Sequence, residues 1–207
     1  MERLLKKSYE LEAELGQFFQ LGLRDDSANF VASHAMCSLA FEYAESVKYL
    51  VAAEKYNAAI SLLRLQFEVL VKGMWCLYSA PEKAIENLFT PISIDNFKQL
   101  NKTPGLSQML EELEGKAPRE ATSMLNEFKE CHWQPLCSFV HGGVFAFQTH
   151  AIGFPPSLIL NMLQTSNAIS TMVAMLMIIL SGDIEQRGKL TELQRKYADC
   201  LPILLPA

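Results

Sequence analysis

The residues most able to do chemistry crowd into one stretch, Cys131-His132-Trp133-Gln134-Pro135-Leu136-Cys137-Ser138-Phe139-Val140-His141-Gly142-Gly143. It holds two of the four histidines, two of the five cysteines and one of the two tryptophans. It stops at a Gly-Gly pair, a common helix terminator. That puts His141 in a last helical turn, against the negative end of the dipole, as a candidate acid, base or anion contact. Cys131, His132, Cys137 and His141 are the ligand types zinc takes. Their spacing, Cys-His-x4-Cys-x3-His, matches no usual zinc knuckle, and adjacent Cys131 and His132 point apart on a helix. No metal site is expected. Ser138 and His141 lie three apart and so share a helical face. A nucleophile pair also needs a group to orient the base and an oxyanion hole, and no Gly-x-Ser-x-Gly elbow is present. No Walker loop, Gly-x-Gly-x-x-Gly or His-Glu-x-x-His occurs, so no cofactor is expected.

A second polar set interrupts an otherwise apolar helix, at Ser61, Arg64, Glu68 and Lys72. These fall on one narrow arc. Either the arc is a solvated stripe laddered by i,i+4 pairs, or it holds an arginine and a carboxylate at a helix–helix interface, facing a ligand or partner. Arg64 before Glu68 is the less favourable order for a surface pair. Buried charge is costly unless paired, so Arg64, Glu68 and His141 are expected to meet, although 77 positions separate the first from the last. A similar arc, His34, Ser38, Glu42 and Glu45, offers a histidine and two carboxylates. The Glu-x-x-His of di-iron bundles occurs nowhere in the chain, and a solvated face is the expectation there.

The elements that must position these groups read as helices throughout. Leu4, Leu5, Leu11, Leu15, Phe18 and Phe19 recur at helical spacing to about Gly22. Ser27 and its neighbours Asp25 and Asp26 supply an N-cap for a helix reaching about Lys55. That helix is rich in Ala and Ser, which permit close approach. A third helix covers about Asn57 to Tyr78, and Pro81 suits the start of a short fourth. Residues 90–118 carry Pro91, Pro104, Gly105, Gly115 and Pro118, and predict an irregular, protruding segment with short helical pieces. Helix resumes near Arg119 and runs toward His141, with Pro135 kinking or splitting it. Val144 to Phe154 reads as a loop or short extended piece. Two helices follow, about Ser157 to Leu180 and Ile184 to Cys200. The expected architecture is all-α: a single domain over residues 1–207, a bundle of five or more helices.

The net charge of −5 argues against a general nucleic-acid binder but leaves room for a local basic pocket. Five scattered cysteines without Cys-x-x-Cys point to a reduced, cytoplasmic protein, and the N-terminus is too polar for a signal peptide. Ile159 to Leu180 is apolar overall, yet its clean run, Met172 to Leu180, has nine residues where a bilayer span needs about 20. A core or interface helix is expected instead, with no membrane partner. Met162, Met172, Met175 and Met177 suit an adaptable face for self-association.

Leu63-Arg64-Leu65-Gln66-Phe67-Glu68, followed much later by Ser138-Phe139-Val140-His141-Gly142-Gly143, resembles a group of bacterial helical proteins of unknown function. That group is similar in turn to HEPN-type domains and abortive-infection proteins. The likeness covers roughly Ala58 to Gly143. It implies a commonly dimeric helical bundle of defence or toxin type, and in many such proteins a metal-independent ribonuclease. The family motif sets an Arg before a His with four to six residues between them. Here those positions before His141 hold Gln134, Pro135 and Leu136, and His34, His132 and His150 lack the Arg as well. Only His141 matches in place, and Arg64 would have to supply the guanidinium from another helix. RNA cleavage without metal needs a general base and a cation for the developing charge, which His141 and Arg64 could provide, with Glu68 orienting one of them. The expectation is therefore a HEPN-like homodimeric accessory domain, RNA-directed with a degenerate motif. The alternatives are a non-enzymatic helical module that docks a protein partner and a small-molecule-binding bundle.

Overall fold

The computed structural model describes residues 1–96, 100 and 103–202. Among these it contains nine α-helices and two short 3-10 turns, and no strand. Helix α1 spans Glu2–Leu15 and passes into a 3-10 turn at Gly16–Gln20; α2 spans Ala28–Ala52, α3 Tyr56–Tyr78 and α4 Glu82–Phe89. Then come α5 (Leu106–Leu113), α6 (Arg119–Val140), α7 (Val144–Ile152), α8 (Pro156–Ser181) and α9 (Gln186–Lys196), with a last 3-10 turn at Ala198–Cys200.

Helices α2 and α3 form the tightest pair. Ala32, Ser33, Cys37, Ala40 and Ala44 are buried along one side of α2, and such short side chains let the backbones close up. Where they cross, a Cβ on Gly73 would stand 3.3 Å from Met36 Cβ, so glycine is needed there for space. Helix α8 lies across α1, α2 and α3 and supplies the deepest part of one contiguous core, with Leu163, Ile169, Val173, Ile178 and Leu180 fully enclosed. It is long and apolar enough to cross a membrane by length and composition, but most of it is buried against its neighbours, as in the core helix of a soluble protein. Of the four methionines expected on a self-association face, Met162 and Met177 are core residues, while Met172 and Met175 are half-buried.

Three expectations need revising. Val144 to Phe154 is no loop: α7 forms there, although none of its residues is buried. Ser138 Oγ accepts the free N–H of Phe145 in its first turn (3.1 Å), which helps to start it. Of the two expectations for Pro135, splitting is ruled out: α6 runs unbroken through it. The proline is exposed, and so is Cys131, whose carbonyl loses its helical partner; water can satisfy that carbonyl. Residues 97–99 and 101–102 of the irregular 90–118 segment lie outside the described residues. Within the rest, Ile92 and Ile94 are exposed, but α5 does not protrude: Met109, Leu110 and Leu113 are buried and the helix packs on α3.

Candidate functional site

Helix α6 lies along α3, and the polar arc of α3 faces into this seam instead of open water. Ser61 turns its hydroxyl onto the Asn57 carbonyl (2.8 Å). Arg64, only 14% exposed in its side chain, is gripped from three directions. Its Nε donates to Glu68 Oε1 at 2.9 Å. The guanidinium lies 4.5 Å over the Trp133 ring. Its terminal NH1 reaches His141 Nε2 at 3.2 Å. A guanidinium can only donate, so in this contact Nε2 is the acceptor. The structure thus brings Arg64, Glu68 and His141 together, with Glu68 on the arginine and the arginine on the histidine.

Local structure explains how His141 gets there. The end of α6 closes with Gly143 N–H donating to the Ser138 carbonyl (2.7 Å) and Gly142 N–H to Phe139 (3.5 Å). Gly142 takes φ +63°, a left-handed conformation that glycine adopts freely. A Cβ on Gly143 would fall 2.6 Å from Ser138 Oγ. The Gly-Gly pair is thus a tight C-terminal lock that aims His141 at α3. It also engages Ser138 as acceptor for Phe145, so Ser138 is a capping residue and not a partner for His141.

Trp133 is the site residue that reasoning from the sequence did not assign. It sits four before Cys137 and eight before His141, on the same face of α6. A ring one or two turns below a candidate histidine was the available signal. Beneath it, Phe67 stacks on Phe128 with ring centres 4.0 Å apart, a rigid aromatic floor under the arginine. Beside the cluster opens a groove of about 360 Å³, bordered by Arg64, Glu68, Lys72 and Trp133 on one side and by Pro104 and Leu106 on the other. Lys72 makes no salt bridge among the described residues. One carboxylate against two cations leaves the groove mildly positive within an acidic chain.

The other candidates fall elsewhere. His132 leans on Phe128, 4.8 Å between ring centres, and its burial there lowers its pKa. His34 meets the edge of Phe19, and Ser38, Glu42 and Glu45 are exposed. Cys131 is exposed and Cys137 half-buried. Cys76 and Cys200 are each pushed up to about 11, Cys76 by burial against an opposing pull from Lys72 and Cys200 by burial and the Asp199 carboxylate, values that suit unreactive thiols. Among the described residues no three His, Cys, Asp or Glu side chains gather as a metal site.

No curated protein and no solved structure matches the chain. A family model does, and it runs over residues 37–203, including both helices that build the cluster. By that match the chain belongs to the Family of unknown function (DUF6988).

Proposed function

We propose that the seam between α3 and α6 binds a phosphate group of RNA, in a HEPN-like bacterial accessory domain of defence or toxin type. The observation that carries the reading is the mounting of Arg64. Its guanidinium stands over Trp133, is fixed by Glu68, and borders a groove that also holds Lys72. Arginine held by a planar ring and a carboxylate is pre-organised for phosphate, and the neighbouring aromatic surface suits a splayed base. The small positive area fits a short single-stranded segment better than a duplex. Cleavage would require His141 to exchange Arg64 for a 2′-hydroxyl, which makes binding without cleavage the favoured form. A cytoplasmic setting agrees with the buried α8 and the unpaired cysteines.

The test is fluorescence anisotropy with labelled single-stranded RNA at low salt, in the presence of a chelator. Arg64→Ala and Lys72→Ala are each expected to weaken binding about tenfold, with a salt slope of about −1.4 for two phosphate contacts. Equal binding by wild type and Arg64→Ala would remove the reading. A cyclic-phosphate product lost in His141→Ala would identify the ribonuclease version.

A second reading has its own support. Helix α7 exposes Val144, Phe147 and Ile152 at 66%, 71% and 84%, and buries none of its residues. An apolar helix left open suits docking of a protein partner or a second copy. Sedimentation of wild type against Phe147→Glu tests this: a single monomeric species for both would exclude the second copy.

A further inference from the structure

Helices α6 and α8 both pack on α3 but make little direct contact with each other. Between them, with α9 at one end, lies an apolar cavity of about 280 Å³ that shares no lining residue with the Arg64 groove. Four of the nine methionines line it: Met74, Met124, Met172 and Met175. Flexible, polarisable thioethers make walls that can re-pack around a guest. Besides Thr171 of α8, three polar side chains line it: Arg187 and Gln194 from α9, and Glu120 from α6. The Arg187 guanidinium makes no salt bridge among the described residues. Arg187 and Gln194 are seven positions apart on α9 and so share a face, where both can donate to one anionic group; Glu120 comes from a different helix, α6.

We propose that this cavity binds a medium-chain aliphatic carboxylate, its tail among the methionines and its head group on Arg187 and Gln194. The volume sets the length. At ~30 Å³ for each group of about the size of water, the cavity holds about nine non-hydrogen atoms, close to an eight-carbon acid. The donors set the head group, because Arg187 and Gln194 can both donate to a carboxylate, whereas an amine placed there would meet the guanidinium of Arg187. This site is independent of the reading given for Arg64.

The experiment uses the full chain with methyl-labelled methionine and titrates linear acids from four to twelve carbons, followed by calorimetry and methyl resonances. Affinity should rise about fourfold per methylene up to about eight carbons and then level off. Octanoate should move the methyls of Met74, Met124, Met172 and Met175 and leave Met162 in place. Arg187→Gln should weaken octanoate at least tenfold, and octylamine should bind the wild type more weakly than octanoate. Met124→Trp, a change at a half-exposed rim position, should block entry while leaving the melting temperature unchanged. Arg64→Ala should bind octanoate as wild type does. Non-saturable binding, unchanged affinity in Met124→Trp, or shifts spread over all nine methionines would overturn the site. Equal binding of octylamine, or an unaffected Arg187→Gln, would overturn the carboxylate assignment.

Discussion

Lys48→Met is the sharpest test of how this bundle is held together. Lys48, on α2, has no exposed side-chain surface, and its Nζ lies 2.8 Å from Glu12 Oε1 of α1, itself 11% exposed. The ammonium also donates to the Ala44 carbonyl at 3.1 Å. Burial pushes Lys48 below its ordinary value and Glu12 above its own, and their mutual attraction pulls both part of the way back. Methionine keeps the stem in place, so the change removes a charge and leaves little cavity. Breaking a buried pair costs about 3–5 kcal/mol because the partner stays behind uncompensated. Glu12 keeps a sliver of water contact, which argues for the lower end, about 3 kcal/mol. For about 200 residues that is a fall of roughly 6–12 °C in melting temperature. In the variant Glu12 loses the group that held it down, so its native pKa rises further above the unfolded value. The native state then binds the proton more tightly, and stability is regained as pH falls through that raised value. The deficit measured by urea denaturation should therefore be smaller at pH 5 than at pH 7. Adding Glu12→Leu should return stability to within about 1 kcal/mol of wild type, since matched apolar replacement of a buried pair is often neutral. A single variant within ~1 kcal/mol of wild type at pH 7 would refute the reasoning. So would a deficit that neither pH nor the second substitution changes.

Four further outcomes follow from particular positions. Glu54 holds φ +58° between α2 and α3, so Glu54→Gly should raise stability by about 1 kcal/mol in chemical denaturation. Ser33 buries a hydroxyl with no partner among the described residues, and Ser33→Ala should stabilise by about 1 kcal/mol by the same measure. Glu112 accepts Trp75 Nε1–H at 2.6 Å and Gln108 at 2.9 Å, and these bonds hold its carboxyl below the usual range. Its contribution is present above the ordinary carboxylate value and lost as pH falls through the lowered one; the melting temperature of Glu112→Gln should fall less steeply than wild type between pH 5 and 3. Gly143→Ala forces a Cβ to within 2.6 Å of Ser138 Oγ, and should cost about 1–2 kcal/mol and loosen His141, seen as a change in its imidazole resonances.

What could be read from the sequence depended on whether a residue's neighbours were local. The apolar spacing of α3 and α8 exists because those helices are buried over most of their length, so their extents emerge within a residue or two. Helix α7 buries nothing, so no periodic pattern was imposed on Val144–Ile152 and the segment looked like a loop. Pro135 misled because its cost depends on whether the freed carbonyl meets water, a fact of tertiary structure. Charge economy points to the pairing of Arg64 with Glu68, since both interrupt an otherwise apolar α3, whereas His141 follows α6 and is exposed, so its contact with Arg64 is set by the turn that ends α6. The role of Trp133 stayed hidden because a tryptophan in an apolar helix face ordinarily marks core. The groove beside Arg64 depends on Pro104 and Leu106, which no local spacing ties to α3.

Helix α8 carries a consequence for how the bundle can move. Ser166 and Ser170 engage Gln66 of α3, with Ser166 Oγ donating to its amide oxygen (2.8 Å) and the amide nitrogen reaching Ser170 Oγ (3.3 Å) and the Ser166 carbonyl (3.0 Å). Asn167, one residue on, donates to Ser8 of α1 (2.8 Å) and to the Cys200 carbonyl (3.0 Å). An all-apolar rod could creep or spin in such a sheath, because one greasy contact replaces another. These polar pegs act as a key in a lock, pointing in two directions at once and fixing both the height and the rotation of the shaft. A slip of one turn would strand Ser166, Asn167 and Ser170 at about 1–3 kcal/mol each, a sum comparable with the whole stability of a domain. Ratcheting of α8 is therefore comparable in cost to unfolding, and adjustment at either site falls to the helices around α3 and α8: α5 and α6 at the Arg64 groove, α6 and α9 at the apolar cavity.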